Sequence, residues 1–137
     1  MYKNSTSQLF VYDFVLPFTG KLDQSNRWVR LAAELDWFAL EEEYSQQFSS
    51  RGGNQALPVR MAFGSLVIRQ ALGLSDAQTV QLICESPYLQ FFIGLTDFTN
   101  QAPFSAHSMV GFRRRIPAAA VLQAAQRLQE LGKQGKE

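Results

Sequence analysis

Apolar positions recur along this chain at spacings of three and four residues. Trp28, Leu31, Ala32, Leu35 and Phe38 form one such series, the pattern that lines one stripe of an α-helix. Ser25 or Asn26 just ahead of it has the oxygen needed to accept bonds from the free N–H groups of a first helical turn. A second series, Trp37, Leu40, Tyr44 and Phe48, starts in a different phase, which predicts a bend or restart near Asp36 before the polar loop 49–54. Pro58 suits a helix start, and Val59, Ala62, Phe63, Leu66 and Val67 then share a face up to the stop at Gly73. Gly64 inside that helix costs helix stability but permits another helix to approach closely.

The strongest local signal is Ser75-Asp76-Ala77-Gln78, which has the form of a capping box and predicts a new helix carrying Val80 and Ile83 inward. Ser86-Pro87 predicts a short helix through Tyr88, Leu89 and Phe92 to Gly94. Residues 58–94 therefore read as helix, tight turn, helix, short helix. Ser105 is placed to cap a further helix with Met109, Phe112 and Ile116 inward and Arg113, Arg114 and Arg115 outward. Pro117 opens a last helix whose narrow stripe, Val121, Ala125, Leu128 and Leu131, would suit a partner helix.

Upstream the pattern changes. Residues 9–18 are rich in aromatic and β-branched types and run into Pro17, which favours an extended arm laying Phe10, Phe14 and Phe18 on the helical body or on a second subunit. The expected fold is all-α: a multi-helix domain over 25–116 with a helix-turn-helix-like hairpin, an extended Phe-rich arm over 1–24, and a C-terminal amphipathic helix and polar tail over 117–137.

Composition narrows the classes. With 46% apolar residues, eleven Phe among them, 137 residues can fill a core without a staple. One Cys and one His cannot make an internal disulfide or a closed zinc site, and no cofactor is expected. No apolar run approaches the roughly 20 residues that span a bilayer, so no membrane partner is expected and the chain reads as cytoplasmic. The formal net charge of +1 hides a split. Residues 1–50 hold four basic and seven acidic side chains and residues 51–137 hold nine and five, so an anionic partner should meet the second part.

Arg113 to Arg115 form the one dense basic cluster, and guanidinium forks suit phosphate oxygens. They fan around their helix, so at least one is expected to face its own domain and pair with a carboxylate such as Asp97, which would make the cluster structural. With Arg51, Arg60 and Arg69 on neighbouring elements, the group could instead form a modest phosphate-contacting surface. The hairpin at Leu72-Gly73-Leu74-Ser75 has helix-turn-helix spacing, although its second helix, Asp76 to Glu85, carries no Lys or Arg. Glu41, Glu42 and Glu43 are consecutive and about 100° apart, so they read as a solvated helix face and not as a metal site. His107 reads as an ordinary first-turn histidine and Cys84 as a small core or boundary residue.

Several of these segments occur together, in one order. They are Asn26-Arg27-Trp28-Val29-Arg30-Leu31-Ala32, Pro58 to Ile68, Leu72 to Asp76, Glu85-Ser86-Pro87-Tyr88-Leu89-Gln90-Phe91-Phe92-Ile93-Gly94-Leu95, Pro103-Phe104-Ser105 and Phe112 to Ile116. The series, over roughly residues 8–116, resembles the N-terminal domain of bacterial insertion-sequence transposases of the InsH type. The resemblance implies a domain that recognises the element's ends and helps assemble the protein on DNA. It also implies a separate ribonuclease-H-like core of three acidic metal ligands. No position here matches those ligands, since the residues after Ile116 offer only Glu130 and Glu137. The expectation is a catalytically inactive DNA-binding fragment, not an enzyme. Its expected partners are terminal inverted repeats and a homo-oligomer or full-length transposase, with Arg60, Arg69, Arg113, Arg114 and Arg115 contacting phosphate. The alternative is a protein–protein interaction module in which the arm and the Val121 to Leu131 stripe pair subunits.

Overall fold

The computed structural model describes residues 10–16, 20–44 and 57–134, and these contain seven α-helices. In chain order they are α1 (Arg27–Glu34), α2 (Trp37–Tyr44), α3 (Val59–Leu72), α4 (Asp76–Glu85), α5 (Pro87–Phe92), α6 (Ala106–Arg115) and α7 (Ala118–Gln134). The all-α expectation holds.

Helix ends fall where side chains satisfy the orphan N–H groups of a first turn. Asn26 Oδ1 accepts from Trp28 N at 2.8 Å to start α1. Leu35 leaves helical geometry, and Asp36 Oδ1 accepts from Ala39 N at 3.0 Å to start α2, so the two phases of the sequence are two helices. Trp37 bridges the break by donating its indole N–H to Ala32 O at 2.9 Å. The capping box forms as predicted, with Gln78 N to Ser75 Oγ at 3.1 Å and Ser75 N to Gln78 Oε1 at 3.0 Å. Gly73 ends α3 at φ +65°, a left-handed conformation that a side chain would strain.

α3 is the axis of the molecule. Each residue from Val59 to Ile68 is buried, and α2, α4, α5, α6 and α7 all pack on it. α5 comes closest at Gly64, where a Cβ would lie 3.0 Å from Ile93 Cγ2 and 3.4 Å from the Phe92 ring. Edge-on aromatic pairs tie these layers together, Trp37 with Phe63 and Phe92, and Trp28 with Phe92 at 5.2 Å.

Three expectations change. The arm is not uniformly extended: Val11–Asp13 is a turn of 3-10 helix, and Val15 then makes a single parallel bridge to Asp97 through bonds to Thr96 O and from Phe98 N. Phe14 is buried edge-on against Phe91, whereas Phe10 is exposed and Phe18 lies outside the described residues. Phe38, assigned to the inner stripe, is 55% exposed because the restart at Trp37 rotates it outward. The Val121, Ala125, Leu128, Leu131 stripe is not free for a partner helix. It is buried within the chain, where α7 lies on α1 and α3.

Candidate functional site

The α3–turn–α4 hairpin and α6 pack on one another, which brings the end of α3 beside the end of α6 and with it four of the five sequence-nominated arginines. Arg69 stands in the last turn of α3, and Arg113, Arg114 and Arg115 form the last turn of α6, a position where cationic side chains offset the negative end of a helix dipole. Asp76 opens α4 between them. Arg69 Nε lies 2.8 Å from Asp76 Oδ1, and Arg113 Nη1 donates to that same oxygen. The carboxyl of Asp76 is held below its ordinary value of 3.8, chiefly by the Arg113 hydrogen bond and the charge of both guanidinium groups. Pairing inward by one arginine of the cluster is thus as expected, but its partner is Asp76 and not Asp97.

Arg114 is exposed and makes no ion pair or hydrogen bond with a described residue. Arg115 is exposed and folds back over its own helix, donating to Gly111 O at 3.3 Å in space left by the glycine's missing side chain. Arg51 lies outside the described residues.

Arg60 does not belong to this surface. It is 2% exposed, and Nε and Nη2 donate to Phe92 O and Phe91 O, both at 2.9 Å. Its guanidinium lies over the rings of Trp37 and Phe91, 4.7 and 5.3 Å from their centroids. Burial lowers its pKa to about 10, opposed by the charge of Glu41. Glu41, read as solvated, is itself 3% exposed on α2. The pair joins α2, α3 and the end of α5, and although Arg60 borders the floor of a cleft beneath Phe10, Tyr12 and Phe38, its Nε and Nη2 donors are already taken by the two carbonyls.

The remaining nominated side chains take no part in either arrangement. His107 is exposed in the first turn of α6, and Cys84 is half-buried on α4. Among the described residues, no three His, Cys, Asp or Glu side chains gather as metal ligands would, and no helix is long and apolar enough to cross a membrane. Gln90 was missed by the sequence reading. It is fully buried, donating to Ile83 O and Thr99 O and accepting from Thr99 N, and so fixes the 95–105 loop that leads into α6.

A protein of Rhizobium meliloti, "Uncharacterized protein ORF8 in nfe locus", is 34% identical over 88 residues, 64% of this chain. The match covers 42% of that relative, so this chain spans less than half the relative's length. No solved structure matches. The family described as Transposase domain (DUF772) matches residues 17–115, from the arm to the last arginine of α6. That span holds the hairpin, the Asp76 cluster and the buried Arg60, and the chain therefore belongs to the DUF772 transposase domain family.

Proposed function

We propose that this chain is the DNA-binding and assembly domain of an insertion-sequence transposase of the InsH type, contacting the phosphates of the element's terminal repeats and making no strand cuts by itself. The observation that carries the reading is the basic end of α6, where Arg113, Arg114 and Arg115 are all exposed beside Arg69 on a helix-turn-helix-like hairpin. Guanidinium groups held on helix ends are well suited to phosphate oxygens. Arg60 is removed from the contact set, which leaves Arg69, Arg113, Arg114 and Arg115.

Duplexes made from the DNA on either side of the reading frame, where terminal inverted repeats would lie, test this by fluorescence anisotropy across a salt series. Changing Arg113, Arg114 and Arg115 to Ala together is expected to weaken binding and to flatten the slope of log K against log salt, by about 0.9 for each phosphate that is no longer neutralised. An unaltered slope would remove the cluster from the interface. Equal binding of a scrambled duplex at every salt would remove end recognition. Incubation with supercoiled plasmid and Mg²⁺ is expected to yield no nicking, and clear cleavage by pure protein would make the chain an enzyme after all.

Assembly has its own support, though not from α7. Phe10 and Tyr12 stack at 5.8 Å and are 55% and 57% exposed, and with Phe38 they rim a cleft between the arm and α1–α2. Exposed aromatic clusters of this kind mark contact surfaces. Sedimentation of the chain against a Phe10→Ser, Tyr12→Ser double variant tests whether a second copy uses them.

A further inference from the structure

We propose that Asp76 occupies the phosphate site from within, so that DNA binds the Arg69–Arg113 pair by displacing a carboxylate of the protein itself. The inference rests on the phosphate-contact reading above and adds to it a residue that opposes binding. Its basis is the geometry of three elements. A single oxygen, Asp76 Oδ1, takes Arg69 Nε from the end of α3 and Arg113 Nη1 from the end of α6, while its backbone starts α4. Two guanidinium groups converging on one oxygen from separate helices is the arrangement a phosphate oxygen would meet, and the carboxylate supplies the same kind of charged acceptor.

The site is also open to exchange. The side chains of Arg69, Arg113 and Asp76 are 35%, 39% and 20% exposed, so solvent reaches the outer face of the cluster, although Arg69 Nε itself is buried against Asp76 without a well-formed hydrogen bond. Exposed ion pairs hold weakly and are screened by salt. Each guanidinium has five N–H donors, and two such groups carry more donors than the roughly four acceptor positions of one carboxylate can take, so N–H groups remain for an incoming anion. While Asp76 is seated, two positive charges and one negative present a net single charge beside Arg114 and Arg115. A phosphate that takes its place meets both arginines, at the cost of expelling the carboxylate. Asp76 therefore lowers affinity for any duplex and reduces the number of counterions released.

Asp76→Asn removes the charge and keeps the shape, and the Ser75–Gln78 capping box does not involve the side chain at 76. The anisotropy titration with the terminal-repeat duplex is expected to show binding roughly three- to tenfold tighter than wild type at low salt, with a slope steeper by about one. Asp76→Glu, which retains the carboxylate, is expected to stay within roughly twofold of wild type. In an Arg69→Gln, Arg113→Gln background the gain from Asp76→Asn should vanish, because the released groups are gone. If the gain survives there, it is a general charge effect and the inference is overturned. It is likewise overturned if wild type binds and Asp76→Asn binds equally or less tightly while melting cooperatively. Asp76→Ser, which also removes the charge and leaves the Ser75 cap in place, gives the same reading should the Asn variant fail to fold. If neither wild type nor the neutral variants bind the duplex, the DNA reading itself falls, and this inference with it.

Discussion

A guanidinium shut away from water must be answered by acceptors, and Arg60 is answered by two carbonyls, two aromatic faces and Glu41. The carbonyls of Phe91 and Phe92 belong to the last turn of α5, where intrahelical donors run out, so one side chain both neutralises Glu41 and completes a helix end. Arg60→Ala leaves the Glu41 charge buried without its counter-ion. The expected loss is about 3–5 kcal/mol in urea unfolding, and a combined Arg60→Met, Glu41→Leu variant should regain much of it. A loss under about 1 kcal/mol would show that the pair carries no structural role. Charge alone placed Arg60 on the surface, as it does for most arginines. The contrary signal was present: Met61 to Ile68 offers a single hydroxyl and no charged position, and a helix apolar all round is buried all round. Asp76 was legible only as part of a cap, since convergence of Arg69 and Arg113 on it depends on how α6 packs across the hairpin.

At the scale of elements, punctuation residues were the most informative, because their chemistry is local. Asn26, Asp36, Ser75, Ser86 and Ser105 each accept from an N–H of the following turn, and those bonds need no knowledge of the rest of the chain. Gly64 was legible as a point of close approach but not as to what approaches. That proves to be the end of α5, with Phe92 and Ile93 both fully buried and unable to retreat. Gly64→Val would gain some helix propensity and drive two methyl groups into that contact. Overpacking of this size is expected to dominate, with a net loss of roughly 2–3 kcal/mol in chemical denaturation. A Val variant as stable as wild type would mean that α5 can slide on α3. The inner and outer faces of α2 were harder to assign, because the eight residues of that helix mix Trp37, Phe38, Leu40 and Tyr44 with three consecutive glutamates.

Across the whole molecule, the charge split of the sequence is largely consumed by internal pairing. Arg127 grips Glu34 of α1 through two bonds at 2.7 and 2.9 Å and also reaches Glu130, Arg60 faces Glu41, and Arg69 and Arg113 share Asp76. The excess of basic residues after position 50 therefore reaches the described surface mainly at the end of α6. A sum over residues cannot reveal this, because most of these pairs join positions distant in sequence. The same long-range packing sets the true extent of the folded unit. The family match stops at residue 115, yet α7 places Leu128 and Leu131, both fully buried, with Val121, Ala124 and Ala125 onto α1 and α3. A fully buried leucine contributes about 1.5–3 kcal/mol. Two leucines, a valine and two alanines thus approach the margin of roughly 5–15 kcal/mol that holds a whole domain together. Cutting the chain after Ile116 would also expose the apolar surfaces of α1 and α3 that α7 covers. The shortened chain is expected to keep much of its far-UV helix signal, to lose near-UV tryptophan dichroism and a cooperative melt, and to bind a hydrophobic dye. A shortened chain that melts cooperatively within a few degrees of the full one would make α7 an appendage and residues 17–115 a self-sufficient domain.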